Sequence, residues 1–271
     1  MPELPEVETT ARGIRPHIKG FTITNAVVRQ SSLRHPVPRN LRQLVKNQKV
    51  IDVSRRAKYV LVHLERGHLI IHLGMTGNLR VLQTPPPPQK HDHVDVCFED
   101  GRVMRYTDPR RFGCILHTKS DPEQHKLLKS LGPEPLSDEF TPERLHELSR
   151  KRKVAVKNFI MNGAVVVGVG NIYASESLFR AGVLPHRQAG RVSLEKYVAL
   201  HGHIKDVLNA AIKAGGTTLR DYTNADGFAG YFSQELDAYG RKGEDCNRCG
   251  GTIKMKVIGQ RSSFYCTGCQ N

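Results

Sequence analysis

The polar and apolar positions of this chain change their period twice. Between residues 21 and 82, apolar residues fall in short β-branched runs: Phe21-Thr22-Ile23, Val27-Val28, Val50-Ile51-Asp52-Val53, Tyr59 to Leu64 and Leu69 to Leu73. Alternation with turn residues between the runs predicts strands with a buried face. Residues 8–18 and 39–47 carry a helical period instead. Val94-Asp95-Val96-Cys97-Phe98 and Arg102-Val103-Met104-Arg105-Tyr106 flank Glu99-Asp100-Gly101, which predicts a hairpin. Pro85 to Pro88 mark an exposed loop. The first 118 or so residues therefore predict a β-sandwich.

After Gly132-Pro133-Glu134-Pro135 the period lengthens. Thr141-Pro142 reads as an N-cap followed by proline at the first helical position. Helices are predicted at 142–150, 153–161, 171–181 and 193–214, with Gly-rich breaks between them. Residues 215–240, rich in Gly, Thr, Asp and Tyr, read as a long functional loop. The last 30 residues change character again. Cys246-x2-Cys249 and Cys266-x2-Cys269 are two knuckles of the kind that share one tetrahedral Zn2+. Two strands, 253–258 and 263–265, are expected around Gly259-Gln260-Arg261-Ser262, with Arg261 at the tip. Because all four ligands are cysteine, no position stays open for water, and one structural zinc is expected. The chain is thus α+β and multidomain, with boundaries expected at 1–132, at 133–225 with its loop running to about 240, and at 241–271.

Composition narrows the partner. Lys and Arg number 41 against 26 Asp and Glu, a net charge of +15 in 271 residues. Such an excess points to a polyanion, of which nucleic acid is the commonest. Arginines recur in turn-like clusters at Arg55-Arg56, Arg110-Arg111 and Arg150-Lys151-Arg152-Lys153. Over residues 241–271, six basic residues outnumber two acidic ones. No apolar run approaches the ~20 residues that span a membrane, and the first residues lack signal-peptide character, so a cytoplasmic protein is expected. In that setting the four-cysteine pattern reads as metal, and Cys97 and Cys114 as reduced core thiols.

The candidate chemistry starts at Met1-Pro2-Glu3-Leu4-Pro5-Glu6. Removal of Met1 leaves Pro2 as a secondary amine, and an α-amino group has a pKa of roughly 7.7–8.0. A neutral amine can attack a carbonyl-level carbon, and proline would then form an iminium. Glu3 and Glu6 lie within reach to move protons; the competing reading is a disordered terminus. Lys58 precedes an apolar strand, where it either enters a groove or is simply solvated. Met75, between Gly74 and Gly77, either forms an apolar wedge between bases or folds back into the core. Arg110 and Phe112 place a cation and an aromatic two residues apart in a turn, a pair suited to the space left by an extruded base. His91 reads as a polar or phosphate contact, since His91-Asp92-His93 lacks the further ligands a metal needs. Gly168-Val169-Gly170 lacks the third glycine of a dinucleotide loop, yet it opens a helix that can receive one phosphate, with Lys157 and Asn171 beside it. Arg261 offers a donor fork for phosphate.

Taken together, Pro2-Glu3-Leu4-Pro5-Glu6-Val7-Glu8, Arg56-Ala57-Lys58-Tyr59, His72-Leu73-Gly74-Met75, Lys90 to Val94, Tyr106 to Gly113, Gly168 to Tyr173 and Gln260-Arg261 in the ribbon resemble the bacterial formamidopyrimidine-DNA glycosylases over the whole chain. The resemblance implies an N-terminal β-sandwich and a helix-two-turn-helix lobe that grip damaged double-stranded DNA, with an appended zinc β-hairpin, acting as a monomer. It implies that Pro2 is the nucleophile at the sugar C1′ and Glu3 the proton donor for base loss. Lys58 would serve β-elimination and Arg261 δ-elimination. Met75, Arg110 and Phe112 would fill the void. His91, Arg110 and Arg152 would contact DNA, Lys157 and Asn171 would lie near the flipped nucleotide's phosphate, and the loop within 217–240, with Tyr239, would cover the base. Met161-Asn162-Gly163 departs from the family's usual acid at the middle position, and Arg152 stands where lysine is common. Two rivals remain at this point. One is the sister enzyme for oxidised pyrimidines, endonuclease VIII, from which Leu4 leans away; the other is a non-catalytic zinc-containing DNA-binding protein.

Overall fold

The structure is a computed structural model and describes residues 2–215 and 236–271. It has two compact units. One runs to Lys129; the other combines Ser130–Lys213 with the C-terminal residues.

The first unit opens with α1 (Leu4–Ile18) and continues through β1 (Thr22–Val28), α2 (Leu41–Val45), β2 (Gln48–Arg56), β3 (Tyr59–Leu64), β4 (Gly67–His72), β5 (Asn78–Leu82), β6 (Asp92–Phe98), β7 (Val103–Thr107) and β8 (Cys114–Thr118). The strands are antiparallel, in the order β5-β7-β6-β1-β2-β3-β4-β8. Only Thr22↔Lys49 and Ile23↔Gln48 join β1 to β2, so the ladder divides into two four-stranded halves. Both halves feed one core. Ile23, Val94, Val96 and Tyr106 come from one, Val53, Val60, Val62, Leu69 and Ile71 from the other, and α1 adds Val7, Ala11, Ile14 and Ile18. Those four α1 positions recur every three or four residues, which puts them on one helix face. Strands β5 and β8 were not singled out by the sequence pattern. Each is a five-residue edge strand with few fully buried positions, so its apolar pattern is weak. Cys114 is buried as expected, whereas Cys97 is only half-buried.

Helix α1 begins four residues earlier than its apolar period predicts. Glu3 is its N-cap in extended conformation and forms a capping box with Glu6, and Pro5 lies in the first turn, where a missing N–H is tolerated. Glu8 lies on the flank of the apolar face of α1, about a quarter-turn round the helix. This carboxylate accepts from Arg12 Nε at 2.6 Å and Arg55 Nε at 2.7 Å, and Arg55 Nη1 donates to the Ala57 carbonyl at 2.9 Å. Ala57 has φ of +55°, so Arg55 braces a left-handed turn that carries Lys58.

The second unit holds α3 (Pro142–Ser149), α4 (Val156–Ile160), α5 (Asn171–Arg180), α6 (Leu194–Lys213), and the hairpin of β9 (Lys254–Ile258) and β10 (Arg261–Tyr265). Thr141 caps α3 through its side chain, as the sequence predicts. Helix α4 is shorter than predicted, because Ala155 bridges Gln188 and Val156 N donates to Arg187 O, which holds the preceding residues extended. The hairpin turn is also tighter than expected. Gly259 and Gln260 alone make it, with φ of +56° and +63°, as a two-residue turn demands. Arg261 is therefore the first residue of β10, paired with Ile258, and not the tip of a loop. Phe179 of α5 shares a small core with Ala238, Cys246, Ile253 and Cys266. Among the described residues, no helix is long and apolar enough to cross a membrane.

Burial pushes the Glu8 carboxyl up, but hydrogen bonds to Arg55 and Arg12 and their charges outweigh it, leaving its pKa below the usual value. A carboxylate depressed in the folded state stabilises above its unfolded pKa of roughly 4.3 and loses that contribution as pH falls through the folded value. Glu8→Gln should lower the unfolding free energy by about 1 kcal/mol at neutral pH. The gap to the unmutated protein should close in acid, as paired urea melts at neutral and acidic pH would record.

Candidate active site

Pro2 is buried and directly precedes the N-cap of α1. Glu3 is 2% exposed, and its N–H donates to Glu6 Oε2 at 2.8 Å. The second acid of the opening motif is thus occupied in fixing the first. Glu6 is fully buried and serves as a brace for the head of the helix, not as an exposed proton carrier.

Lys58 lies in the two-residue turn between β2 and β3, braced by Arg55. Its charge reaches His72, which the sequence reading quoted without giving it a task. Burial pushes the His72 pKa down to about 4, with the positive charge of Lys58 adding to the effect. His72 Nδ1 accepts from Gly74 N at 2.9 Å, so the neutral ring carries its proton on Nε2. The imidazole also packs on Tyr59, ring centroids 4.9 Å apart. One ring therefore touches both the Lys58 hairpin and the start of the Met75 turn. Its signal in the sequence was a histidine directly after the apolar run Leu69-Ile70-Ile71.

Met75 is 36% exposed and Phe112 45% exposed, which removes the reading of Met75 as a core residue. Arg110 lies over the Phe112 ring, 4.9 Å from its centroid. The two turns that carry these side chains meet backbone to backbone. A Cβ on Gly74 would lie 2.5 Å from Gly113 N, and one on Gly113 would lie 2.2 Å from the His72 carbonyl. Gly74 also has φ of +65°. Beneath both turns lies Asp108, which is fully buried. Its Oδ1 accepts from Thr76 Oγ1 at 3.1 Å, and its Oδ2 accepts from Tyr106 OH at 3.2 Å and Gly113 N at 2.9 Å. Asp108 N donates to the His91 carbonyl at 3.1 Å, and Asp108 O lies 2.7 Å from His93 Nε2. One buried residue thus joins the Met75 turn and the Arg110–Phe112 turn through its carboxylate, and the His91 segment through its backbone.

His91 itself is half-buried, with its ring edge-on to His93. The neighbouring Asp92 accepts from Thr107 Oγ1 at 2.6 Å and Gln89 N at 2.8 Å. Asp95 holds Arg105 and Arg29 at 2.9 and 2.6 Å, and Arg105 also donates to the Pro86 carbonyl at 2.9 Å. This buried network anchors the proline loop next to His91.

In the second unit Lys157 departs from expectation. It is 0% exposed, and its ammonium donates to Asn171 Oδ1 at 2.5 Å, Ser262 O at 2.9 Å and Ser263 Oγ at 2.6 Å. Asn171 Nδ2 also donates to Ser262 O, at 3.1 Å. A basic residue expected against phosphate instead joins the start of α5 to β10, one residue from exposed Arg261. Asn171, at the first position of α5, stays half-exposed. Arg152 is exposed in the turn after α3, while Arg150 is tied inward to His146 O and Val192 O. At the departure from the family pattern, Asn162 Oδ1 accepts from Ala164 N at 3.0 Å and closes a local turn. The expected loop at 217–240 lies outside the described residues up to 235. Beyond it, Glu176 accepts the N–H groups of Asp237, Ala238 and Tyr239 at 2.7–2.9 Å, and the Tyr239 ring meets Phe264. Burial raises the Glu176 pKa despite these bonds. The sequence reading did not single Glu176 out, since one acid inside a helical period looks like any other.

The Sγ atoms of Cys246, Cys249, Cys266 and Cys269 all lie within 4.8 Å of one another, and among the described residues no other group has metal-holding geometry. Cys246–Cys269 and Cys249–Cys266 are 3.7 and 3.5 Å apart. Tetrahedral Zn–S bonds of about 2.3 Å require sulfur separations of about 3.8 Å, so the residues fit one structural zinc.

Three family models match the chain in sequence: the formamidopyrimidine-DNA glycosylase N-terminal domain over residues 1–115, the helix-two-turn-helix domain of the same glycosylases over 131–223, and the zinc finger found in these enzymes and in isoleucyl-tRNA synthetases over 243–271. That arrangement defines a DNA glycosylase of base-excision repair. The chain belongs to the formamidopyrimidine-DNA glycosylase family. It is 54% identical over 271 residues to the enzyme of Xanthomonas campestris and 56% identical over 270 residues to that of Pseudomonas putida, with 100% of each chain covered. Its structure is similar to the MutM protein of Thermus thermophilus (34% identity, TM-score 0.89, 99% and 98% of the chains). It is also similar to the Lactococcus lactis enzyme in complex with DNA containing an abasic site (32% identity, TM-score 0.92, 100% of both chains). Full-length identity at this level decides against a non-catalytic DNA-binding protein and against the pyrimidine-directed sister.

Two measurements check this geometry. Asp108→Ala leaves the buried Gly113 N–H and the Thr76 hydroxyl without their acceptor and Tyr106 OH with the His72 carbonyl alone, and should cost about 2 kcal/mol of unfolding free energy in denaturant melts. Nitrogen-15 spectra of the imidazoles should show His72 as the Nε2–H tautomer, titrating near the low value given above. Because the unfolded ring binds its proton at roughly pH 6.5, stability should rise with pH between the two values.

Proposed function

We propose that the chain excises oxidised purines from double-stranded DNA and then cuts the strand as a lyase, with Pro2 as its nucleophile. The carrying observation is the position of Pro2: buried, next to a Glu3 whose backbone is clamped by Glu6. Burial and the positive end of the α1 dipole both disfavour a charged amine there, which favours a nucleophilic one. The Pro2 nitrogen attacks C1′, and the bond from C1′ to the base nitrogen breaks with proton delivery from Glu3. Opening of the sugar ring leaves an iminium between C1′ and Pro2. The iminium acidifies C2′–H, so the 3′ phosphate leaves by β-elimination, with Lys58 as the proton donor. A second, δ-elimination expels the 5′ phosphate, assisted by Arg261.

The remaining roles follow the exposed groups. Met75, Arg110 and Phe112 fill the space of an extruded base. His91, Arg110 and Arg152 contact the DNA backbone. Asn171 faces the phosphate of the flipped nucleotide, and buried Lys157 orients it together with the strand that carries Arg261. Leu4 and the glycosylase relatives support oxidised purines as substrates, and the relatives' complexes with lesion-bearing DNA support duplex DNA as the partner of a monomer. The working parts are residues 1–132, 133–225 with the segment to about 240, and 241–271. The protein works in the bacterial cytoplasm, at the nucleoid.

Borohydride reduction on a duplex containing 8-oxoguanine should give a covalent complex, with peptide mass mapping placing the adduct on the Pro2 nitrogen. An adduct on Lys58, or undiminished trapping by protein that keeps an extra N-terminal residue, would sink the assignment. Glu3→Gln should slow single-turnover base release by about 10²–10⁴-fold.

A further inference from the structure

The half-sheet of β2, β3, β4 and β8 has two ends. Lys58 and Met75 lie at one. At the other, five residue steps along β3 and so about 17 Å away, is a cavity of about 640 Å³. That volume is typical of small-molecule sites. Among its lining residues the fixed charges are Arg66 and Lys119 against Glu65, the Asp121 carboxylate also acts on His68, and Leu44 and Leu64 give an apolar wall.

The cavity has a built floor. Gln48, 3% exposed, accepts from Arg66 N at 2.7 Å through Oε1, and its Nε2 donates to Leu44 O and to Arg66 O. One amide thereby fixes both the end of α2 and the β3–β4 turn. A Cβ on Gly67 (φ +107°) would lie 2.8 Å from His117 Nε2, so only a bare turn lets this imidazole seat against it. His117 Nε2 is shut away from solvent with no well-aligned hydrogen-bond partner, and the ring's backbone contact is with Arg66.

A second ring reaches the cavity through a chain of hydrogen bonds. Ser54 Oγ lies 2.7 Å from His63 Nε2, and His63 Nδ1 lies 2.8 Å from His68 Nδ1. Burial lowers the pKa of both rings, so neutral tautomers prevail at neutral pH. Two neutral imidazoles that share an Nδ1···Nδ1 bond must be opposite tautomers. Because the Ser54 hydroxyl can donate or accept, the whole chain can reverse. An oxyanion in the cavity selects the direction in which Ser54 donates, His63 donates, and His68 offers Nε2–H.

We propose that this cavity is a second ligand site that takes a phosphate group, carried by a small phosphate ester or by a nucleic-acid backbone, on Arg66, Lys119, His68 and His117. The anion meets two fixed cations and a selectable N–H donor, with the His117 ring forming part of the wall. Leu44 and Leu64 flank the body of an ester.

The test is a titration of the full-length protein, followed by imidazole nitrogen-15 spectra, with inorganic phosphate, deoxyadenosine monophosphate and an undamaged duplex in separate arms at constant ionic strength set by chloride. Saturable shifts of His68 and His117 with phosphate or the nucleotide are expected. Arg66→Gln combined with Lys119→Gln should weaken binding roughly tenfold or more. Ser54→Ala, which changes no charge, should weaken it about threefold to tenfold. Both variants should retain base excision. Shifts with the duplex alone would support the site with DNA as the phosphate's source. Equal shifts with chloride, or none at His68 and His117 in any arm, would overturn the proposal.

Discussion

A carboxylate shut away from water has to be answered by donors, and Asp108 draws its donors from separate stretches of chain. Thr76 comes from the turn after β4, Tyr106 from β7, and Gly113 from the approach to β8. None of these bonds is exceptional alone. Their joint effect is large because the alternative is a buried charge with nothing to answer it. The arrangement turns two exposed turns into one rigid platform and ties the His91 segment to it through the Asp108 backbone. Lys157 repeats the principle with the opposite sign, joining α4, the start of α5 and β10 through a single buried ammonium.

These anchors explain how the protein can show Met75 and Phe112 to solvent. Exposed apolar side chains on a loop would ordinarily collapse onto the nearest core. Here the backbone below them is held by hydrogen bonds and by the close glycine contact, so the side chains have no slack with which to fold back. The same division of labour runs through the head of α1. Glu6 holds Glu3, while Glu8 holds Arg55 and thereby the Lys58 turn.

Much of this was legible in the sequence, and the limits have physical reasons. The central strands, the N-cap at Thr141 and the zinc knuckles carry local signals of period, capping chemistry and ligand spacing. The early start of α1 was missed because a capping box made of two glutamates lacks the Ser or Thr that normally announces one. Edge strands β5 and β8 escaped because each is five residues long and buries only one or two of them, too few to set a period. Among site residues, those that act from the surface could be read from motif order, whereas those that act from beneath could not. Asp108, His72, Glu176 and the true position of Lys157 depend on partners far away in the chain, and no local pattern encodes the distance between Lys157 and Ser263. Arg261 was found as a residue but misplaced by one turn geometry, since Gln260 adopts the positive φ that glycine would have advertised.

The contact between Gly74 and Gly113 has a consequence for inheritance. A methyl group on Gly74 would press on the Phe112–Gly113 backbone, and one on Gly113 on the Tyr106 hydroxyl and the His72 carbonyl, so the two changes strain one junction. Losses at these sites are therefore not additive, and Asp108 belongs to the same set because it bonds both turns. Sequence drift across this patch must proceed by the group or not at all. Such joint constraint leaves a lineage free to vary what the platform presents at positions 75 and 112 while leaving it almost no freedom in how it presents them.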